Sequence, residues 1–221
     1  MLELPGLRKG NQMAAIKTKT KSIYGVHPGV IMAKKSLDEL PTTTGRSLDQ
    51  WLKLIKKEGP SGNHERSEWL KSEHGFGSYL AGWLANRVEG KGAEEYDPEA
   101  YIVAAEKYVD DMFAGPKEEL LPLYDELLRI GLKVGSDVKA CPGKTIVPLY
   151  RNHVFAQIKP STLTRIDFGF ALGGIKGAGR LIETGGFAKK DRITHRIAIT
   201  NLADIDDEVK RWLKTAYDLD A

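Results

Sequence analysis

The alternation of apolar and polar residues in the second half of the chain most constrains the fold, because it decides which side chains share a face of a sheet. Residues 165–172 and 193–200 both alternate in this way over the length of a strand. A period of two is typical of a half-buried β-strand. No strand–helix–strand pattern is evident that would join parallel neighbours. The sequence therefore predicts consecutive antiparallel strands with one face toward a core.

Two more strands are predicted on the N-terminal side of this pair. Residues 145–150 and 153–160 flank Arg151-Asn152, which favours a short hairpin turn, and residues 133–141 suggest a weaker strand. We therefore expect a sheet of four or five strands. Alternation sorts the side chains by face: Phe155, Gln157 and Lys159 share one face, Arg165 and Asp167 share one, and Thr194 and Arg196 lie opposite His195.

The first half of the chain is predicted to be helical. Pro28 suits the first position of a helix that ends before Pro41. Ser47 and Gln50 have the spacing of a capping box for the next helix. Apolar residues at helical spacing predict further helices that start near residues 63, 78, 97, 119 and 206. Gly131 is expected to end the helix that starts near residue 119.

These elements predict two domains after a basic, disordered tail of residues 1–22, in which Met13 is an alternative native start. Residues 23–90 are predicted to form an all-helical bundle with Trp51, Trp69 and Trp83 in its core. A stacking platform for nucleic-acid bases is the alternative role of these tryptophans. Residues 91–221 are predicted to form an α+β domain with a mainly antiparallel sheet and a C-terminal helix.

Cysteine content and hydropathy argue against two classes of protein. The chain of 221 residues has one cysteine, Cys141, so no disulfide can form within it. No apolar run approaches the roughly 18 residues that suggest a membrane-spanning helix. No signal-peptide pattern is present either. We expect a cytoplasmic protein that does not contact a membrane.

Basic residues are concentrated in the segment that is predicted to form the sheet. Residues 144–196 hold ten Lys/Arg and three Asp/Glu, an excess of +7, whereas the whole chain carries +3. Guanidinium groups on one face of a sheet can bind phosphate or carboxylate groups, although a solvated face with ordinary salt bridges is the simpler reading. The candidate ligand-binding residues lie on the strands or at their ends: Arg151, Gln157, Lys159, Arg165, Lys190, Arg192 and Arg196.

Other site chemistries are less well supported by the sequence. His153, Asp167 and His195 could act together in acid–base catalysis if their strands are neighbours. The Gly-rich segment 173–179 lacks the order of glycines that defines a dinucleotide fingerprint, so it is predicted to be a hairpin loop, with an anion-binding nest as the alternative. Cys141 is predicted to be a buried, unreactive thiol. No metal-ligand spacing is present, and no cofactor is predicted.

Two sets of residues resemble uncharacterised families. Residues 24–30, 45–51 and 69–75 resemble a small helical bacterial domain of unknown function. Residues 144–151, 155–160 and 185–196 are similar to a second family of unknown function, which is sometimes labelled a predicted transport protein. The resemblance implies a two-domain protein and brings no catalytic residues. Members of the second family also occur beside restriction-nuclease-like modules, and this association implies a mild preference for nucleic acid.

The leading functional hypothesis is a non-enzymatic binding module whose basic sheet face takes an anionic partner, either nucleic acid or a phosphorylated small molecule. An enzyme that uses the two histidines and Asp167 is the first alternative. The second is a protein-interaction adaptor that docks a protein partner through residues 36–143, which carry a net charge of −7.

Overall fold

The structure, a computed structural model, describes residues 22–221. The predicted tail and the alternative start at Met13 lie outside the described residues, except for Ser22. Within them the chain forms eight α-helices and six strands. The first five helices are α1 (Pro28–Asp38), α2 (Leu40–Thr44), α3 (Leu48–Glu58), α4 (Asn63–His74) and α5 (Ser78–Arg87).

The helix starts follow local backbone chemistry. Pro28 begins α1, and the His27 side chain caps it by accepting a hydrogen bond from the Gly29 N–H. Ser47 and Gln50 form the predicted capping box of α3. The prediction that Pro41 ends the first helix places the break slightly too late: α1 ends at Asp38. Pro41 then lies in the first turn of α2, where a residue without an N–H costs no hydrogen bond.

The tryptophans of the helical region serve as core residues. Trp51 and Trp83 are buried, and Trp69 packs against the same cluster from a half-buried position. The indole of Trp51 donates to Thr44 Oγ1 over 2.7 Å, and that of Trp83 donates to the Gly92 carbonyl over 3.2 Å. Both buried indoles therefore satisfy their polar atom inside the protein, as large aromatic core residues require.

The second half of the chain folds around one antiparallel sheet, which confirms the predicted α+β class. Its strand order is β1-β2-β3-β4-β6-β5, and each neighbouring pair is antiparallel. The six strands exceed the expected four or five because each edge strand is only two residues long. The elements are α6 (Pro98–Met112), α7 (Leu121–Lys133), β1 (Lys139–Ala140), β2 (Val147–Tyr150), β3 (Val154–Pro160), β4 (Ile166–Phe170), β5 (Ile182–Glu183), β6 (His195–Ile199) and α8 (Asp207–Leu219).

The register of the three central strands separates an inner and an outer face. On the inner face Ile158, Phe168 and Ile197 form one cross-strand row, and all three are fully buried. Helices α7 and α8 pack on this face. The adjacent positions Gln157 and Arg196 point to the outer face and are half-buried. Alternation thus places the apolar row under the helices and the polar row on the opposite side.

A β-bulge changes the face of Phe155. The pairing of β2 with β3 shifts between Leu149 and Tyr150, so that one extra residue of β3 lies between their partners. Phe155 is fully buried and its ring packs edge-on against Tyr217 of α8. The prediction that Phe155 shares a face with Gln157 is therefore wrong, because a bulge interrupts strict alternation.

Gly131 does not end its helix as predicted, since α7 continues to Lys133. Its absent side chain instead allows α7 to approach β2. A Cβ atom at this position would lie 2.5 Å from Leu149 Cδ1, and Leu149 is itself fully buried in the core. The glycine is thus explained by close packing between a helix and a strand rather than by a helix cap.

A small cluster connects the start of the chain with the α+β region. Val30 of α1 packs with Tyr101 and Ala105 of α6 and with the buried Cys141. Tyr24 extends this connection, since its hydroxyl lies 2.9 Å from that of Tyr124. The domain boundary near residue 90 stays a prediction. No helix within residues 22–221 has the length and hydropathy to cross a membrane.

Substitution of Gly131 by alanine tests the close approach. Alanine is intrinsically better than glycine in a helix by about 0.5–1 kcal/mol, but here its Cβ would overpack Leu149. We expect G131A to lower the free energy of unfolding in urea by about 1–3 kcal/mol. The matched control is G82A in α5, where a Cβ would meet only Ser67 Oγ at 3.8 Å. G82A should leave stability unchanged or raise it; an equal loss in both variants would contradict this account.

Candidate functional site

Three adjacent strands bring polar residues together on the outer face. Lys159 of β3 pairs with Asp167 of β4, and Asp167 pairs with Ala198 of β6. One pleat further along, Gln157, Gly169 and Arg196 form the parallel row. Arg165 precedes β4 by one residue. We call Lys159, Arg165, Arg196 and the carboxylate between them, Asp167, the cation cluster.

Asp167 is the centre of this cluster. Its Oδ1 accepts a hydrogen bond from Arg196 over 2.9 Å, and its Oδ2 accepts one from the Ser161 hydroxyl over 2.6 Å. Arg165 Nε lies 3.0 Å from Oδ1 but is not aligned with it, so this buried N–H has no hydrogen-bond partner among the described residues. The side chains of both arginines remain about one-third exposed.

The charges of the cluster do not cancel. Two guanidinium groups share a single carboxylate, and the exposed Lys159 forms no salt bridge with any residue in the described range. The group therefore keeps an excess of two positive charges on a face that solvent reaches. Arginine has five N–H donors in a planar fork, and within residues 22–221 most of those of Arg196 are left free, because it donates one hydrogen bond, to Asp167.

A groove of about 500 Å³ adjoins the cation cluster on the outer face. Gln157 belongs to its wall and also shares a cross-strand row with Arg196, with Gly169 between them, so one strand separates the groove wall from the cluster in this row. Ile193 packs over Gly169, where a Cβ would lie 2.7 Å from Ile193 Cγ2. The lining residues are His27, Ile146, Pro148, Tyr150, Val154, Gln157, Thr184, Asp191, Arg192 and Ile193.

His27 holds the Tyr150 hydroxyl at the rim of this outer groove. His27 Nδ1 accepts a hydrogen bond from the Gly29 N–H over 3.0 Å, which leaves the proton of the neutral ring on Nε2. Nε2 lies 2.9 Å from the Tyr150 hydroxyl and therefore donates to it. Burial lowers the pKa of His27 below its ordinary value, which favours this neutral form. Tyr150 can then donate its own hydrogen to a ligand.

The rest of the predicted basic set lies elsewhere. Arg151 donates to Asp137 over 2.9 Å and stacks on the Tyr217 ring. Arg192 lines the groove, but its guanidinium is already paired with Asp220 and donates to the Val154 carbonyl over 3.1 Å. Lys190 lies in the exposed loop before β6. Sequence alternation sorted Gln157 with Lys159 and placed Arg165 and Arg196 each on a face of its own strand, and the strand register brings these faces together. Alternation could not find the carboxylates that pair with Arg151 and Arg192.

The two histidines of the catalytic hypothesis do not meet at Asp167. His195 is 1% exposed on the inner face; its Nδ1 lies 2.8 Å from Thr194 Oγ1, and its Nε2 has no partner within the described residues. His153 is exposed at the β2–β3 turn, where its Nδ1 lies 3.1 Å from Asp220 Oδ1. Asp167 is on the outer face. The geometry gives the acid–base hypothesis no common site.

The other candidates from the sequence are the Gly-rich loop, a metal site and Cys141, and the structure supports a binding or catalytic role for none of them within the described residues. In the Gly-rich loop, the Gly177 N–H donates to the Glu183 carboxylate over 3.0 Å, so a protein anion already occupies that donor. Within residues 22–221 no cluster of three or more His, Cys, Asp or Glu side chains is suited to a metal ion. Cys141 is fully buried, and this burial raises the pKa of its thiol to about 12.

Asp220 is a structural residue that the sequence did not single out. Its carboxylate is almost completely buried and accepts a hydrogen bond from the His153 N–H over 2.8 Å, beside its ion pair with Arg192. The Asn152 side chain donates to its carbonyl over 2.9 Å. These contacts join α8 to the β2–β3 turn and to the loop before β6. Nothing in the local sequence distinguishes it from the exposed Asp218 nearby.

The thiol of Cys141 provides a test of this packing. Since thiolate is the reactive form, a pKa near 12 and full burial should slow labelling by Ellman's reagent at pH 8 by at least about a hundredfold relative to the chain in urea. The chain has one cysteine, so the entire signal reports on this residue. Equal labelling rates with and without urea would show that the cluster around Val30 and Tyr101 is not closed.

Substitution of Asp220 by asparagine tests the contacts that it makes. D220N leaves Arg192 without its anion, and we expect urea denaturation to show a loss of about 1–3 kcal/mol. The matched control is D218N, two residues earlier, where an exposed carboxylate pairs with Lys214. That change should cost at most about 0.5 kcal/mol. Equal effects of the two substitutions would disprove the structural role of Asp220.

Comparison with known proteins identifies families without an assigned activity. Residues 33–89 match the model of a domain of unknown function, DUF4287. Residues 109–220 match that of a second domain of unknown function, DUF5655. No curated protein and no solved structure matches the chain. The second match covers half of the chain and spans the sheet, the cation cluster and α8. The chain therefore belongs to the DUF5655 family and carries a DUF4287 domain before it.

Proposed function

We propose that the protein is a binding module that takes a phosphorylated small molecule on the outer face of its sheet. One observation carries the proposal: Arg165 and Arg196 share the carboxylate of Asp167, Lys159 occupies the paired position on the neighbouring strand, and the group keeps an excess of two positive charges. An anion that replaces water on this surface is stabilised by charge-assisted hydrogen bonds with the arginine and lysine side chains.

Asp167 organises the site without filling it. By accepting from Arg196 and lying beside Arg165, it holds two long side chains close to the orientation that a phosphate requires. This reduces the conformational entropy that ligand binding must remove. The remaining guanidinium N–H groups can form paired hydrogen bonds with phosphate oxygens, and Lys159 adds a point charge.

The shape of the site favours a small ligand over extended nucleic acid. The outer groove, at about 500 Å³, is within the 300–1,000 Å³ range of typical small-molecule pockets. A nucleic-acid surface needs a longer series of cations to follow several phosphates, whereas Arg151 and Arg192 are paired with carboxylates. We place this binding activity in the cytoplasm, where a free, buried cysteine is ordinary.

Removal of one guanidinium tests the proposal. Ribose 5-phosphate, with ribose as the uncharged comparison, can be titrated by NMR at low and at physiological ionic strength. We expect saturable binding of the phosphate alone, weaker at the higher ionic strength, and a loss of about ten- to a hundredfold in affinity for Arg196→Gln. The control is Lys210→Gln on α8, which packs on the opposite face of the sheet and should retain the affinity.

Three outcomes would contradict the proposal. Binding of neither compound would remove the anion site, and equal binding of both would show that charge is not recognised. Strong binding of a labelled single-stranded DNA, without binding of ribose 5-phosphate, would show that the partner is nucleic acid and not a small molecule. The melting temperature of Arg196→Gln should stay within a few degrees of the unsubstituted protein, which separates a binding defect from unfolding.

A further inference from the structure

The outer groove offers a different surface from the cation cluster beside it. Pro148, Val154 and Ile193 provide apolar wall, whereas Tyr150 and Gln157 provide polar atoms at separate points. Such a mixture is typical of pockets that bury an apolar or aromatic body and fix its orientation with a few hydrogen bonds. A phosphate by itself would use none of the apolar wall. The ligand that fits both surfaces therefore carries a ring as well as a phosphate.

The two regions are also spaced for one molecule. Gln157 and Arg196 occupy the same cross-strand row with Gly169 between them. Two strand spacings separate their backbones by about 10 Å. The side chain of Ile193 covers the intervening Gly169, so it lies between the two ends and forms part of the groove wall. A ligand that places its phosphate at Arg196 must therefore cross over Ile193 to bring its ring past Gln157 into the groove.

The ends of the site differ in charge. The cation cluster lies at one end, and the exposed carboxylate of Asp191 belongs to the lining of the groove. No side chain in the described part of the protein pairs with Asp191 through a salt bridge or a hydrogen bond. A free carboxylate in a groove favours a ligand with N–H donors at that position. The Tyr150 hydroxyl, which accepts from His27, can donate to a ring nitrogen or carbonyl of the same ligand.

From this arrangement we infer that the ligand is a nucleoside monophosphate whose base carries an amino group. The base lies in the outer groove against Pro148 and Ile193, with its amino group toward Asp191. The phosphate binds at Arg196, and the ribose spans the distance between them. This inference rests on the proposed function, because it assigns the phosphate to the cation cluster. It adds the ring, its hydrogen-bonding pattern and the residues that recognise it.

Isothermal titration calorimetry with AMP, CMP, UMP and ribose 5-phosphate tests the inference. We expect AMP and CMP to bind at least about tenfold more tightly than ribose 5-phosphate, because the base adds buried apolar surface and hydrogen bonds. UMP, whose base has a carbonyl at C4 in place of the amino group of CMP and a hydrogen on N3, should bind more weakly than CMP. Since the two pyrimidines have nearly the same size, this pair isolates the hydrogen-bonding edge of the base, where CMP has an amino donor beside an N3 acceptor and UMP has a carbonyl beside an N3–H.

Two substitutions assign the contacts to residues. Tyr150→Phe removes one hydroxyl and should lower the affinity for CMP about three- to tenfold, with no change in the affinity for ribose 5-phosphate. Asp191→Asn should reduce the preference for CMP over UMP to about twofold or less. The matched control, Asp218→Asn, removes a carboxylate on α8 and should leave all four affinities unchanged. Circular dichroism melting of each variant excludes loss of folding as the cause.

The failure of this inference is distinguishable from failure of the proposed function. Equal affinity of the nucleotides and ribose 5-phosphate, unaffected by Tyr150→Phe, would overturn the base site and leave the phosphate site intact. A preference for UMP over CMP, or a CMP preference that survives Asp191→Asn, would overturn the role assigned to the carboxylate. Absence of binding by every phosphorylated compound would overturn both proposals together.

Discussion

The register of the three central strands is the constraint on which the rest of the structure depends. It aligns Ile158, Phe168 and Ile197 beneath α7 and α8, where their complete burial removes apolar surface from water. The same register aligns Lys159 with Asp167, and Gln157 with Arg196 across Gly169, on the opposite face. A slip of one residue in a single strand would bring charged side chains under the helices. Core packing therefore fixes the geometry of the cation cluster as well.

This coupling explains how a surface site can be ordered with few dedicated contacts. A solvent-exposed salt bridge contributes little to stability, because solvent screens it and its side chains lose entropy. The strands position Asp167 and Arg196 as cross-strand diagonal neighbours whatever the strength of that pair. The contribution of Asp167 is then orientation of the guanidinium groups rather than stability. It also keeps the local charge excess at two, which limits repulsion among three cations on neighbouring strands.

Those parts of the fold that depend on local pattern were predictable from the sequence. Alternation located the four principal strands, and the Ser47–Gln50 spacing located a helix start. Local pattern could not find the bulge that turns Phe155 inward, because the bulge is set by the pairing of two strands. It likewise assigned Gly131 to a helix end, whereas the position is explained by Leu149, a residue that lies distant in sequence. Each correction involves a contact between elements.

The candidate site shows the same division between local and long-range information. Period two placed Gln157 and Lys159 on one face of their strand, whereas the position of Arg196 beside them depends on the register of three strands and the pairing of Arg192 with Asp220 depends on the docking of α8. His27 and Tyr150 are 123 residues apart, and their hydrogen bond joins a helix cap to a strand end. His27 directly precedes Pro28, a common arrangement for a residue that caps a helix, and this was the one local signal of its role.

A two-dimensional NMR titration with CMP, which observes backbone amides and arginine side chains, tests whether the cation cluster and the outer groove bind one ligand. We expect saturable shifts at Lys159, Asp167 and Arg196, and at Tyr150 and Ile193 in the outer groove, with α8 and the helices of residues 28–87 unaffected. Shifts confined to α8 or to those helices, or the absence of any saturable shift, would contradict this expectation.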